Sequence, residues 1–301
     1  MRGDARPRSF YALAAFFALF VAFLYGPIAT IVILSFQGPQ GGLTFPMNGV
    51  STFWFAKLMK GVGVVDIWSA FGRSLRLGLV VMAVTVAFAL AAGLAFRRQF
   101  IGATTLFYIV VASLIVPSIV VSLGIGLGFR LLDDQVMALG SAFDIAYIVD
   151  EYTTSMGIYT SALGAHLTWT LPFGLLIMFA VFNRFDKAFE EAARDLGASD
   201  WQTIRHVVLP IIAPSLIGVA LFGFTLSYDE LARSSQAAGD LNTLPLELQG
   251  LTTTVTTPEI YALGTLTTGV SFAVIFGALG VTLYLQRRRA RRGSDAGKGM
   301  V

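Results

Sequence analysis

Cysteine is absent from the 301 residues, which excludes disulfides and thiolate metal sites. Histidine is nearly absent: His166 and His206 are too few and too far apart for a metal site, and each is assigned a hydrogen-bonded structural role. A Gly-x-x-x-x-Gly-Lys-Ser/Thr phosphate loop is missing too, the one Gly-Lys pair, Gly297-Lys298, falling in a polar tail. Nucleotide chemistry therefore has to come from another chain, and no cofactor is assigned to this one. Charge is scarce: 13% of residues are Asp, Glu, Lys or Arg, against about a quarter in an ordinary soluble domain. With 55% hydrophobic residues and a mean hydropathy of +0.73, the chain cannot cover a water-exposed surface, and it reads as an integral membrane protein. No internal repeat is visible, so an inverted-repeat secondary transporter gains no support.

What is present is a series of long apolar windows. A spanning helix needs about 20 such residues, and lipid offers no partner to an unpaired backbone amide, so helices are expected. Six windows qualify: 10 to 35, 74 to 96, 103 to 129, 158 to 182, 211 to 232 and 259 to 285. The first follows Arg2, Arg6 and Arg8 as a signal peptide would, but it is too long and ends in no small-residue cleavage pattern, so a retained helix is expected. Pro117, with Gly124, Gly126 and Gly128, and Pro172 interrupt the third and fourth windows, either as packing features or as hinges beside a solute path.

With both ends inside, 15 of the 21 basic residues fall in inner segments, which places both termini in the cytoplasm. The run RRRARR at 287 to 292 then anchors topology at the membrane lipid rather than contacting nucleic acid. The predicted organisation is a tail at 1–9, a first span at 10–36, an outer loop at 37–73, a membrane core at 74–285 and a basic tail at 286–301. The outer segments carry 11 acids against 6 bases, a surface that attracts cations.

One inner loop, 183–211, is unlike the rest. It contains EEAARDLGASDWQTIRHVVLPIIAP, beginning at Glu190. Asp186 can cap a short helix with Phe189, Ala192, Ala193 and Leu196 on one face and Glu190, Glu191, Arg194 and Asp195 on the other. Glu190 and Arg194 stand four apart. Gly197 supplies a left-handed stop. Ser199 and Gln202 form a capping box for a second helix in which Trp201, Ile204 and Val208 share a face. Pro210 disfavours helix at Leu209, and Pro214 opens the next span. A helix lying on lipid would carry Lys and Arg on its polar face; this one is acidic there and alanine-lined opposite, which fits a protein groove better.

The spacing Glu191-Ala192-Ala193, then Gly197, then Val207, Leu209 and Pro210 resembles the EAA loop of permease subunits in bacterial ABC importers. Further stretches, FNRFDKAFEEAARDLGAS, LSYDEL at 226 to 231, NTLPLELQGL at 242 to 251 and TPEIYALGTL at 257 to 266, resemble the spermidine/putrescine branch, as does STFWFAKLM at 51 to 59. The resemblance implies an all-α type I permease fold with six transmembrane helices in the bacterial inner membrane. It implies an ATPase dimer that uses ATP and receives the loop at Glu191, Ala192, Ala193, Gly197, Leu209 and Pro210. It also implies a second permease subunit, homologous or identical, and a periplasmic solute-binding protein. This chain itself would perform no chemistry. Arg73 stands where the family commonly has asparagine, which, with motifs shared by iron, sulfate and phosphonate permeases, keeps import of such solutes open beside a polyamine. A secondary transporter or channel acting alone is the third reading, and it leaves the loop without a purpose.

For a solute path the candidates are Asp229 and Glu230, whose carboxylates would attract alkylammonium groups, with Tyr228 or Trp169 offering a π face. Counted from Ile211, Asp229 lies about 27 Å along its span, so a hydrated helix end near the outer surface is the competing reading. Trp54 and Trp68 are expected as interfacial anchors.

Overall fold

The computed structural model describes residues 7–61, 66–98, 100–254 and 257–291, with only the backbone described at Thr254 and at 289–291. Arg2, Arg6 and residues 292–301 of the predicted tails, Gly297-Lys298 among them, lie outside the described residues. The helices are α1 (Arg8–Leu34), α2 (Phe53–Met59), α3 (Ile67–Phe96), α4 (Ala103–Ala112), α5 (Ser118–Ala142), α6 (Ala146–Asp150), α7 (Leu163–Arg184), α8 (Ala188–Asp195), α9 (Asp200–Thr203), α10 (Leu209–Tyr228), α11 (Leu244–Thr254) and α12 (Pro258–Arg291). A π turn, Ile158–Ala162, leads into α7, and a second, Ile204–Val208, joins α9 to α10. Among the described residues there is no strand, only one isolated bridge between Gln37 and Val50.

Five helical runs are long and apolar enough to cross a membrane: Arg8–Leu34, Ile67–Phe96, Ile158–Arg184, Asp200–Tyr228 and Pro258–Arg288. The sixth predicted crossing, 103 to 129, is not one helix. The amides of Ser113, Leu114 and Ile115 turn back three residues to Val110, Val111 and Ala112. Pro117, which has no amide to donate and disfavours helix at the residue before it, then opens α5. The fifth window departs in the opposite sense. Pro210 does not interrupt the chain, because the π turn ahead of it widens the helix, and α9 runs on into the span.

The chain divides into two compact units. One comprises Met1–Asp66 and Leu248–Ser271. Here the fully buried amide of Gln37 organises the loop that follows α1: Nε2 donates to the Gly42 carbonyl at 2.9 Å, and Oε1 accepts from the Asn48 amide at 2.7 Å. Lys57 pairs with Glu259 and stands 5.3 Å from the Trp54 ring. Trp54 is buried here and not an interfacial anchor.

The other unit comprises Ile67–Glu247 and Phe272–Val301, and its centre is the packing of α3, α7 and α10. Lipid tails are as apolar as the side chains, so close approach through small residues has to hold such helices together. A Cβ on Gly174 of α7 would stand 2.8 Å from the Ala89 Cβ of α3, and one on Gly223 of α10 would stand 3.2 Å from the Met82 Cα. Beside these glycines the Thr85 hydroxyl donates to Thr170 at 2.9 Å. Towards the inner end Ala89, Met178, Val181, Phe185, Val208, Ile212 and Val219 form one apolar cluster.

Gly174→Val is therefore expected to lower stability by about 1–3 kcal/mol through overpacking. Gly218→Ala, with nothing within 4 Å, is expected to be neutral or mildly stabilising. Thermal unfolding of the detergent-solubilised protein compares the two.

Candidate functional site

The inner loop folds as a bracket between α7 and α10. Asp186 accepts the Ala188 amide at 2.9 Å and so starts α8. Gly197 ends it in the left-handed conformation, φ +85°, while its amide returns to the Arg194 carbonyl and the Ala198 amide to Ala193. This double return satisfies the last carbonyls of α8 and reverses the chain. The Ser199–Gln202 capping box is complete and opens α9. Glu191, Ala192 and Gly197 are exposed, Ala193 and Leu209 half-buried, and Pro210 exposed. Two large apolar side chains stand out beside them, Leu196 at 89% exposure and Trp201 at 64%. Trp201 thus does not share a face with Val208, which is fully buried, because the π turn shifts the register between them.

The acidic face of α8 is also divided. Glu190 turns inward, pairs with Arg97 just beyond α3, and stands 4.0 Å from Arg194. Arg194 in turn reaches Asp200 at 3.3 Å. Leu94, Arg97, Arg98, Lys187, Glu190, Glu191, Arg194 and Asp200 are among the residues around a hollow of about 510 Å³. In the sequence Arg97 counted only as a basic residue fixing topology. Its pairing was not visible, because the partner lies 93 positions away.

The second group of predicted residues lies at the other end of the same unit. Ser227 of α10 meets His166, eight residues into the helical run that starts at Ile158, with Oγ to Nδ1 2.7 Å. The end of α10 is therefore level with a point about 12 Å along its neighbour, below the outer position that counting along one span gives Asp229. From there residues 230–241 turn back across α5 and α7. Ser122 donates to the Arg233 carbonyl at 2.9 Å and accepts from the Gln236 amide at 3.1 Å. A Cβ on Gly126 would meet the Gln236 carbonyl at 2.6 Å, so only glycine admits this approach. His166 is wholly buried, its Nε2 standing 3.0 Å from Ser234 Oγ.

These contacts change the expected roles. Asp229 is exposed, whereas Glu230 is buried and its Oε1 accepts the Arg233 amide at 2.8 Å. The Trp169 face is covered by Arg233, whose guanidinium carbon lies 4.6 Å from the ring centroid. Arg233 is only 2% exposed and donates to Thr168 at 3.1 Å and Ser118 at 2.8 Å. Tyr228 stacks on Phe224 at 5.4 Å, and its buried hydroxyl has no hydrogen-bond partner among the described residues. The structure thus brings Trp169, Glu230 and the unpredicted Arg233 together, and leaves Asp229 outside the knot.

Beyond the spans, Asp133 in the second half of α5 gathers the loop after α6. It accepts from the hydroxyls of Tyr152, Thr154 and Ser155 and from the Ser155 amide. Burial pushes its carboxyl up, but the bonds from Ser155, Thr154 and Tyr152 outweigh that and hold it well below the ordinary carboxylate range. Arg73, inside α3 and not before it, donates from Nε to the Asn242 carbonyl at 2.7 Å.

Long apolar spans, two of them joined by an inner helical bracket, describe a multi-pass membrane component. The sequence profile of the family described as "Binding-protein-dependent transport system inner membrane component" matches residues 83–291, and the chain belongs to that family. It is 29% identical over 268 residues to the spermidine/putrescine transport system permease protein PotC of Haemophilus influenzae, covering 88% of this chain and 94% of that protein. It is 28% identical over 280 residues to the putrescine transport system permease protein PotI of Escherichia coli K12, covering 92% of each. Among solved structures, the inward-facing MetNI methionine ABC transporter matches with a TM-score of 0.55 at 16% identity, over 76% of this chain and 98% of that one. A bacterial alginate ABC transporter in complex with its alginate pentasaccharide-bound periplasmic protein matches with a TM-score of 0.54 at 16% identity, over 96% and 95%. The fold is that of ABC importer permeases, in an inner-membrane protein.

A depressed carboxyl contributes stability above its unfolded value of about 3.9 that is lost as pH falls through the folded one. Asp133→Asn should therefore melt lower than the unaltered protein at pH 7, with the gap closing as pH drops below about 4. Melting curves of both proteins across pH check this.

Proposed function

We propose that the chain is the permease subunit of an ATP-driven importer of polyamines, spermidine or putrescine, forming part of the solute path and driven through the 183–211 loop. The observation that carries the coupling role is the bracket of α8 and α9. It is a short, capped element stopped at Gly197, exposing Glu191, Ala192, Leu196 and Trp201. Separate ATPase subunits, binding ATP that this chain does not bind, receive that surface. When they close, the bracket moves, and α7, joined to it by a short turn, and α10, continuous with α9, tilt with it. A second permease subunit completes the path, and a periplasmic binding protein delivers the solute to an outer face rich in acids. Both termini lie in the cytoplasm, in keeping with the distribution of Lys and Arg.

The names of the relatives support polyamine as the solute. The acidic excess outside is consistent with it. Arg73, the residue that kept an anionic solute open, donates from Nε to the Asn242 carbonyl, a structural partner that accounts for part of its guanidinium.

Coexpression with candidate ATPase, second permease and solute-binding subunits, followed by uptake of labelled spermidine and putrescine into proteoliposomes, tests the reading. Glu191→Lys or Gly197→Pro should leave the chain in the membrane while removing ATPase copurification and reducing uptake to background; wild-type uptake by either variant overturns the loop's role. Asp229→Asn with Glu230→Gln should weaken uptake severalfold if the carboxylates line the path. Unchanged uptake assigns them to the helix end alone.

A further inference from the structure

Two arginines follow α3, and their surroundings differ sharply. Arg98 is exposed, and its side chain makes no ion pair or hydrogen bond among the described residues. Arg97 lies with its guanidinium carbon 4.9 Å from the Phe182 ring centroid and 5.2 Å from that of Phe185, and it pairs with Glu190. Both partners of that pair are largely covered, at 17% and 13% side-chain exposure. If the positive charge served only to hold the loop inside, Arg98 would suffice and Arg97 would not need a seat.

The seat is built from α3 itself. Gly93, one turn before Arg97 and on the same face, has no side chain, and a Cβ there would stand 2.8 Å from Phe182. The Phe182 ring therefore packs closely against α3 at Gly93, with the Arg97 guanidinium over it. Phe185, buried at the inner end of the unit's apolar cluster, supplies the second ring. A planar guanidinium suits stacking of this kind in a way an ammonium does not.

Helix α8 needs such an anchor. None of its residues is buried, and its ends are two short turns, 185–187 and 196–199. Tied only through those turns, it would swing when pushed, and the push would be dissipated. The pairing continues from Glu190 to Arg194 and on to Asp200, so the ionic chain begins at α3, crosses α8 and ends at α9.

We propose that Arg97 is a positioning residue that clamps α8 to the inner end of α3, so that displacement of the loop reaches α3 directly as well as through α7 and α10. The inference rests on the loop being the ATPase contact proposed above. Breaking the clamp leaves docking intact and uncouples it: ATP is hydrolysed while the spans follow incompletely.

The test is ATP hydrolysed per solute imported by the assembled transporter in proteoliposomes. Arg97→Leu is expected to assemble, retain the ATPase and consume severalfold more ATP per solute. Arg98→Leu, which also removes one positive charge, is expected to match the unaltered protein. An assembled Arg97→Leu transporter with an unchanged ratio overturns the proposal. Should that variant fail to assemble, the absence of native cysteine in this chain allows a reversible substitute, Arg97→Cys with Glu190→Cys. A bis-methanethiosulfonate cross-linker should restore tight coupling and dithiothreitol should abolish it again. Equal ratios in the linked and cleaved states overturn the clamp. An ATPase that never copurifies with the unaltered chain sinks the proposed function instead, a distinct outcome.

Discussion

His166 holds α10 to the chain that follows it, with one ring nitrogen on Ser227 and the other on Ser234, its side chain wholly buried. That bond pair meets a demand lipid imposes on every polar atom between spans: it is satisfied within the chain or it costs several kcal/mol. Once α10 is pinned there, the next segment has little freedom. Ser122 takes the Arg233 carbonyl and the Gln236 amide, Ser113 donates to the Thr168 carbonyl at 2.8 Å, and Ser161 donates to the Ala237 carbonyl at 2.6 Å. Residues 230–241 thus acquire a fixed course with hardly any regular secondary structure. Hydroxyls on α5 and on the π turn ahead of α7 do the work that a helix ladder does elsewhere.

The same demand explains how much of the fold was legible. Five crossings announce themselves, because apolar runs of that length have no other stable use. The bracket was legible down to its capping box and its glycine stop, since caps and left-handed residues are local chemistry. The interruption of the third window was half visible in Pro117; that the break spans Ser113 to Pro117 depends on Ser113 finding a partner on α7, which no local pattern encodes. The π turn at 204–208 was misread as an end at Pro210, because a proline signals a lost hydrogen bond equally well whether the helix stops or widens.

The candidate site was legible by type and not by arrangement. Acids near the end of the fifth window invite a cationic solute, and Trp169 invites a π contact. What the sequence conceals is that Arg233 lies on Trp169 and that Glu230 caps the Arg233 amide. Arg97 is hidden for the same reason: Phe182, Phe185 and Glu190 lie far along the chain and converge only when α3 and α7 pack through Gly93. In both cases an arginine accounted for as bare charge turns out to be seated on aromatic rings.

The π turn ahead of α10 has one more consequence. An extra residue in a single turn advances every later side chain by about 100° relative to an uninterrupted helix. Trp201 therefore looks outward while Ile211, Ile212 and Val219 look into the unit, although all four belong to one continuous rod. The insertion acts as a phase adjuster, leaving the surface shown below the bilayer free to vary independently of the stripe that grips the neighbouring spans.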